Sequence, residues 1–310
     1  CEGVTDILKS ERGTRQGDPL GAFLFCLVLH PIITSAAKKF PSIDIRAYMD
    51  DITLHSKSGD VHEITKCFNY IKEEMEAIHM DIHEKKCEWF SFVPPPPELQ
   101  EFEFRNRRNG GVIRILGAYL GDDDAVIKTL EATLGKNLAI LFQRAKKMGG
   151  HEAVALTSSS LISKVGFALR THPPHITKEL ARTFDLETTA ALEHFAEIKA
   201  TETVKKLKAL PTALGGLGWY SAEALAPLAY QASSSASKLP LSLTPDELKD
   251  ARKDVQSQKQ LADDYHRRLD EELRRDATMA RHLDETRCPG TATFLRHVPS
   301  CDHALAAPIV

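Results

Sequence analysis

The sequence predicts an α+β fold, with an antiparallel sheet and packed helices in residues 1–124 and an all-helical part after them. Three observations point that way. Residues 40–55, FPSIDIRAYMDDITLH, alternate apolar and polar positions on the near side of two acids and return to Ile52-Thr53-Leu54 beyond them, a strand–turn–strand pattern. In residues 60–79, Val61, Ile64, Phe68, Ile71, Met75 and Ile78 recur near a 3.6-residue period and make one stripe of an amphipathic helix. From residue 125 the helical period takes over, with Leu130, Leu134, Leu138, Leu141, Ala145 and Met148 in one line.

Each element follows in order. Leu24, Leu27, Val28 and Ile32 predict a largely buried helix over 20–37, entered through Pro19 and kinked at Pro31. Asp60 with Glu63 three residues on resembles a capping box for the 60–79 helix. Four prolines at 94–97 predict a stiff extended connector. Gly110-Gly111 reads as a hairpin turn before a strand over 112–120. A helix over 155–170 should end at Thr171-His172-Pro173-Pro174, and another should cover 176–200. Residues 233–244, SSSASKLPLSLT, look like a linker. Residues 246–286 read as a solvated, loosely attached helix with Leu248, Val255, Leu261, Tyr265, Leu269 and Leu273 as a thin apolar stripe. The expected domains are therefore 1–124, 125–232 and 233–310.

Composition sets limits on function. A chain of 310 residues with 42% hydrophobic and 27% charged content can bury a core, which excludes wholesale disorder. A net charge of −3 does not advertise nucleic-acid binding, so any basic surface must be local. Residues 125–210 supply one, with 13 Lys/Arg against 8 Asp/Glu. The six cysteines, at 1, 26, 67, 87, 288 and 301, form no CxxC pair, and reduced thiols in an intracellular protein are expected. No apolar run approaches the ~20 residues of a bilayer span, so no membrane partner is read. Residues 1–9 resemble neither a signal nor a transit peptide, and they read as the interior of a domain. His282, Cys288, His297, Cys301 and His303 lack a tight zinc-ligand pair and are taken as an ordinary tail.

Two segments carry chemistry. The first runs RGTRQGDPLG over 12–21, and the second is Tyr48-Met49-Asp50-Asp51. Adjacent carboxylates at a tight turn can approach one ion, and their mutual repulsion calls for a cation. A hard divalent ion such as Mg²⁺ is commonly held by one or two carboxylates plus substrate phosphates. Paired ions of that kind activate an attacking oxygen and stabilise a leaving one, which is nucleotidyl-transfer chemistry. In the first segment Gly13 and Gly17 permit positive φ, Gln16 offers donor and acceptor groups, and the helix start offers free N–H groups to phosphate. Taken alone, each segment also has a structural reading, as a polar hairpin tip and as a glycine turn.

RGTRQGDPLGAFLF followed by AYMDDI resembles the reverse transcriptase family, most closely the enzymes of non-LTR retrotransposons. The resemblance implies a polymerase palm over 1–124 and a helical thumb over 125–232. It implies RNA-directed DNA polymerase activity with two Mg²⁺ ions, an RNA template, a DNA primer, deoxynucleoside triphosphates and action in the nucleus. Asp50 would hold both ions and Asp51 would be the auxiliary carboxylate. Gln16 and Gly17 would line the template–nucleotide floor, with Arg15 and Pro19 binding substrate beside them, while Tyr48 would pack against the primer end and Met49 would offer an apolar surface to a sugar or base. Glu84-Lys85-Lys86-Cys87 is similar to a family motif whose lysine meets the triphosphate, with Lys86 the first choice and Lys85 the alternative. LGAYLG over 116–121 is similar to the hairpin that grips the primer, through Leu116, Gly117 and Tyr119. RTHPP at 170–174 and LPTALGGLGW at 210–219 are similar to segments beyond the palm.

The sequence departs from the family in two places. Gly21 stands where serine is frequent, and both are small. A third metal-binding carboxylate, expected on a strand before the glycine–glutamine segment, has no counterpart, since Glu2, Asp6 and Glu11 lack its flanking pattern. Under-coordinated ions would bind weakly, so the expectation is a polymerase fragment with negligible activity alone. A degenerate remnant that at most binds nucleic acid is the alternative. An RNA-dependent RNA polymerase is disfavoured because Met-Asp-Asp replaces Gly-Asp-Asp at the turn.

Overall fold

The computed structural model describes residues 17–239 and 245–287 and divides the chain into two compact units, Cys1–Leu116 and Gly117–Val310. The fold is α+β, mostly helical with small sheets. The first unit ends at Leu116, so residues 117–124 go with the helical unit.

The first unit opens with α1 (Gly21–Lys39), then β1 (Ile43–Tyr48), β2 (Asp51–Ser56) and α2 (Val61–Ala77). β1 and β2 pair antiparallel from Ile43↔Ser56 to Tyr48↔Asp51. Alternation puts Ile43, Ile45, Ile52 and Leu54 on one face, where they join Leu29, Ile32 and Ala36 of α1 and Cys67, Ile71 and Met75 of α2 in one core. The Asp60 carboxylate accepts from the N–H groups of His62 and Glu63 at 2.9 and 3.2 Å. The return half of a capping box is missing, because the Asp60 N–H turns to the Ser58 hydroxyl at 3.3 Å.

β3 (Glu88–Ser91) and β4 (Glu103–Asn106) follow and pair in parallel, from Glu88↔Glu103 to Ser91↔Asn106. The single antiparallel sheet expected from sequence is thus corrected to small separate pairs, one of them parallel. The prolines at 94–97 and a 3₁₀ turn, Pro97–Leu99, carry the chain back to the start of the ladder. Leu99 anchors this short crossover by packing with Phe68 and Trp89. The expected strand over 112–120 is also corrected. It breaks into β5 (Ile113–Ile115) and β6 (Ala118–Leu120) at Leu116 and Gly117, whose φ values are +48° and +89°.

The α1 expectation changes most. The helix forms, but it is not largely buried. Leu29, Ile32 and Ala36 enter the core, while Phe23, Leu24, Leu27 and Val28 stand exposed. Contrary to the reading that no apolar run has the length to span a bilayer, this 19-residue helix is long and apolar enough by length and composition.

The second unit is built of α3 (Asp123–Leu130), α4 (Lys136–Ala145), α5 (Gly150–Leu156), α6 (Gly166–Thr171), α7 (Pro174–Ala196), α8 (Glu202–Ala209), α9 (Ala222–Ser237), α10 (Pro245–Ala251), α11 (Gln258–Leu273) and α12 (Ala277–Thr286). A π-helical turn, Glu131–Gly135, joins α3 to α4, and another, Thr157–Leu161, leads from α5 toward α6. The wider turn shifts the apolar stripe, so Leu138, Phe142 and Ala145 are buried, Leu134 and Leu141 are half-buried and Met148 is exposed. Two corrections follow in the C-terminal part. Residues 233–237 extend α9 instead of forming a linker. Leu269 and Leu273 of α11 and Leu283 of α12 pack on Ala209 and Leu210, so these helices are docked, and α11 begins with a full capping box between Ser257 and Gln260.

Candidate active site

The two acids stand at the tip of the β1–β2 hairpin. Tyr48 and Asp51 are the last paired residues, which leaves Met49 and Asp50 as a two-residue loop. Tight loops of this kind need positive φ, and here Met49 adopts +53°. Placing a side chain there costs on the order of 1–2 kcal/mol, which core packing behind the hairpin must offset. Alternation sends Asp51 away from Ile52 and Leu54, onto the face opposite the core. Tyr48, Met49, Asp50 and Asp51 are all exposed. Neither carboxylate has a hydrogen-bond or ion-pair partner among the described residues.

Such a pair offers hard, unshared oxygens on neighbouring residues of one turn. That is the donor chemistry a divalent cation accepts, and two carboxylates match what magnesium ordinarily takes from protein when phosphates supply the rest. Among the described residues no group of three or more His, Cys, Asp or Glu assembles into a larger ligand set.

The remaining expected residues lie on separate elements. Gly17 has φ +90° with open space around it, so backbone conformation explains its glycine. Asp18 closes the entry to α1, its carboxylate accepting from the Leu20 N–H at 2.8 Å, and Pro19 lies between them, exposed. Arg15 and Gln16 lie outside the described residues. Lys85 and Lys86 are exposed on a 3₁₀ turn, Glu84–Lys86. Lys72 of α2 holds that turn through Glu84 at 2.7 Å, and the bond and charge of Glu84 push the Lys72 pKa above its ordinary value. Cys87 beside it is half-buried, and burial raises its thiol pKa.

Leu116 is exposed at the end of the first unit, whereas Gly117 and Tyr119 belong to the second. Tyr119 is held by a residue the sequence marked only as a helix end. Its N–H donates to Nε2 of buried His172 at 3.0 Å. A backbone N–H only donates, so that nitrogen is unprotonated and the proton sits on Nδ1, 3.2 Å from the Ala168 carbonyl oxygen. His175, three residues on, meets Asp123 at 2.9 Å. Nothing in a helix-ending His-Pro-Pro run signals this use. Of the C-terminal candidates His282 is exposed on α12, and Cys288, His297, Cys301 and His303 lie outside the described residues.

Residues 2–149 match the family model described as reverse transcriptase (RNA-dependent DNA polymerase). Over those residues the chain is similar to reverse transcriptases. Over 219 residues, 68% of this chain, the sequence is 23% identical to the retrotransposable element SLACS 132 kDa protein of Trypanosoma brucei gambiense. The chain spans 17% of that relative's length. The match agrees with the retrotransposon resemblance carried by the motifs, and reverse transcriptases in general use a divalent metal ion. No solved structure gives a significant match.

Proposed function

We propose that this chain supplies part of the active centre of an RNA-directed DNA polymerase of a retrotransposon. Two unpartnered carboxylates on adjacent residues at a hairpin tip, within the segment that matches the family, carry the reading. The partners in this reading are an RNA template, a DNA primer and deoxynucleoside triphosphates, and residues 1–124 would serve as palm and residues 125–232 as thumb.

Asp50 and Asp51 would hold the magnesium. When bound, the metal supplies charge neutralisation for the phosphates and a lowered pKa for the primer hydroxyl. Asp50 stands in the two-residue loop and Asp51 on the face of β2 opposite the core. Tyr48 would pack against the primer end and Met49 would offer an apolar surface to a sugar or base, and both are exposed beside the acids. Gln16 and Gly17 would line the template–nucleotide floor, with Arg15 and Pro19 binding substrate beside them. Lys86, with Lys85 as alternative, would neutralise or protonate the departing pyrophosphate, and the Lys72–Glu84 pair sets the turn it stands on. Leu116, Gly117 and Tyr119 would steady the primer strand.

Primer extension on an oligonucleotide-primed RNA template tests this, run with the 310-residue chain and with any longer polypeptide containing it. Negligible extension is expected from the chain alone. Extension by the longer polypeptide should fall at least 100-fold in Asp50→Asn and less in Asp51→Asn. Extension that survives both substitutions defeats the assignment.

A further inference from the structure

The parallel pairing of β3 and β4 has a local consequence. Parallel strands end on the same side, and the register Ser91↔Asn106 sends Phe92-Val93 and Arg107-Arg108 out of the ribbon together. There the Arg107 guanidinium lies 5.0 Å from the Phe92 ring centre and 5.9 Å from that of Phe90, and Arg108 lies 5.8 Å from Phe92. Phe92 is 51% exposed and Val93 47%, so neither ring nor side chain serves the core.

The charges around this corner are sorted. Arg105 takes the neighbouring acids, Glu88 at 3.0 Å and Glu103 at 2.9 Å. Arg107 and Arg108 have no acidic partner among the described residues. The loop that presents them is braced at both ends. The Asn106 side chain accepts from the Arg108 N–H at 2.9 Å, and its carbonyl accepts from the Gly111 N–H at 2.9 Å. A Cβ on Gly111 would fall 2.5 Å from that carbonyl oxygen, so the closed loop requires glycine.

A fixed guanidinium over an exposed ring suits one class of ligand. The outward N–H groups donate to phosphate oxygens, and the aromatic face or the guanidinium plane stacks on a base. We infer that the Phe92–Arg107–Arg108 corner is a binding site for single-stranded nucleic acid. Phosphates would sit on the two arginines and a base would stack on Phe92. The site uses none of the residues placed at the hairpin tip and goes beyond the polymerase reading. RNA and DNA strands share this chemistry.

Fluorescence anisotropy with labelled oligo(rU) and oligo(dT) of about 20 nucleotides, long enough for one site, tests the inference without nucleotide triphosphates or metal, so the result is independent of catalysis. The Arg107→Ala/Arg108→Ala variant should bind at least ~10-fold more weakly and lose about one to two units of the salt slope. Phe92→Ala should lose ~5-fold or more with the slope intact. Arg107→Lys/Arg108→Lys should keep the slope and still lose affinity, because an ammonium does not stack as a plane. Comparing rU with dT identifies the preferred strand. All variants replace exposed side chains, and thermal melting checks that each remains folded. The inference falls if wild-type chain binds neither strand, if Phe92→Ala binds as wild type, or if the arginine variants weaken heparin and oligonucleotide equally.

Discussion

Lys208 shows what a single buried charge does in this protein. It is 3% exposed, and its ammonium donates to the Thr188 and Thr189 hydroxyls at 2.7 and 3.1 Å. Burial pushes its pKa down from 10.5 to about 8, against the raising effect of Asp185. In the unfolded chain the amine keeps its ordinary value. Between pH 8 and 10.5 the unfolded state therefore binds more protons, and stability rises with pH across that window. The gain is on the order of 3 kcal/mol. Lys208→Met should abolish this rise and leave the variant more stable than wild type near pH 7. Both threonines keep carbonyl partners, Phe184 at 3.0 Å and Asp185 at 2.6 Å, so the substitution strands no hydroxyl. Urea midpoints from pH 7 to 10 measure the effect, and a slope that persists in the variant would show another group responsible. His172 belongs to the same scale, since the backbone N–H it accepts from fixes which of its nitrogens carries the proton.

Elements are joined in the second unit by side chains that satisfy helix ends. Asp185, in mid-α7, accepts from the Ser221 hydroxyl at 2.6 Å and from the Ala222 and Glu223 N–H groups at 2.7 and 3.2 Å. These are the first free donors of α9, so one carboxylate from another helix serves as its cap together with Ser221. Hydrogen bonds to a charged group contribute more than neutral ones, and a half-buried helix start left bare bears the desolvation cost. Asp185→Ala should cost about 3 kcal/mol, read as a lower urea midpoint at pH 7. A loss under about 0.5 kcal/mol would mean that water replaces the carboxylate. The π-helical turn Glu131–Gly135 acts at this scale too. It brings Phe142 fully into the core, edge-on to Phe184 with ring centres 6.3 Å apart, where a straight helix would favour Leu141.

The surface of the first unit carries an unusual load. Leu20 precedes α1, which carries Phe23, Leu24, Leu27 and Val28, and all five are at least 41% exposed. β1 and β2 form a two-stranded sheet, so among the described residues both outer edges lack a ladder partner. Contiguous exposed apolar surface and open strand edges both favour association. The chain should therefore elute from size exclusion as concentration-dependent oligomers, and Phe23→Glu/Leu27→Lys should shift it toward monomer. Elution of wild-type chain as a sharp monomer at every concentration would contradict this.

Much of the local structure was legible in the residues. Period-2 alternation around Asp50-Asp51 determined the hairpin, because one-residue slips would bury polar groups. The 3.6 period determined α2, and His172-Pro173-Pro174 marked the break before α7. The order of the glycine–glutamine segment and the Asp pair was enough to indicate the family. The parallel β3–β4 pair was not legible, because strands of four residues separated by prolines carry no signal of their partner's direction. The exposed side of α1 was hidden for a related reason. Both of its faces are apolar, and composition cannot tell which one packs. The sequence by itself settled which segments are helices and which acids share a turn, since those depend on neighbours a few residues away. Tertiary structure alone decided that arginines 107 and 108 meet Phe92, that His172 holds Tyr119 and that Lys208 loses contact with water, since each depends on residues brought together from distant parts of the chain.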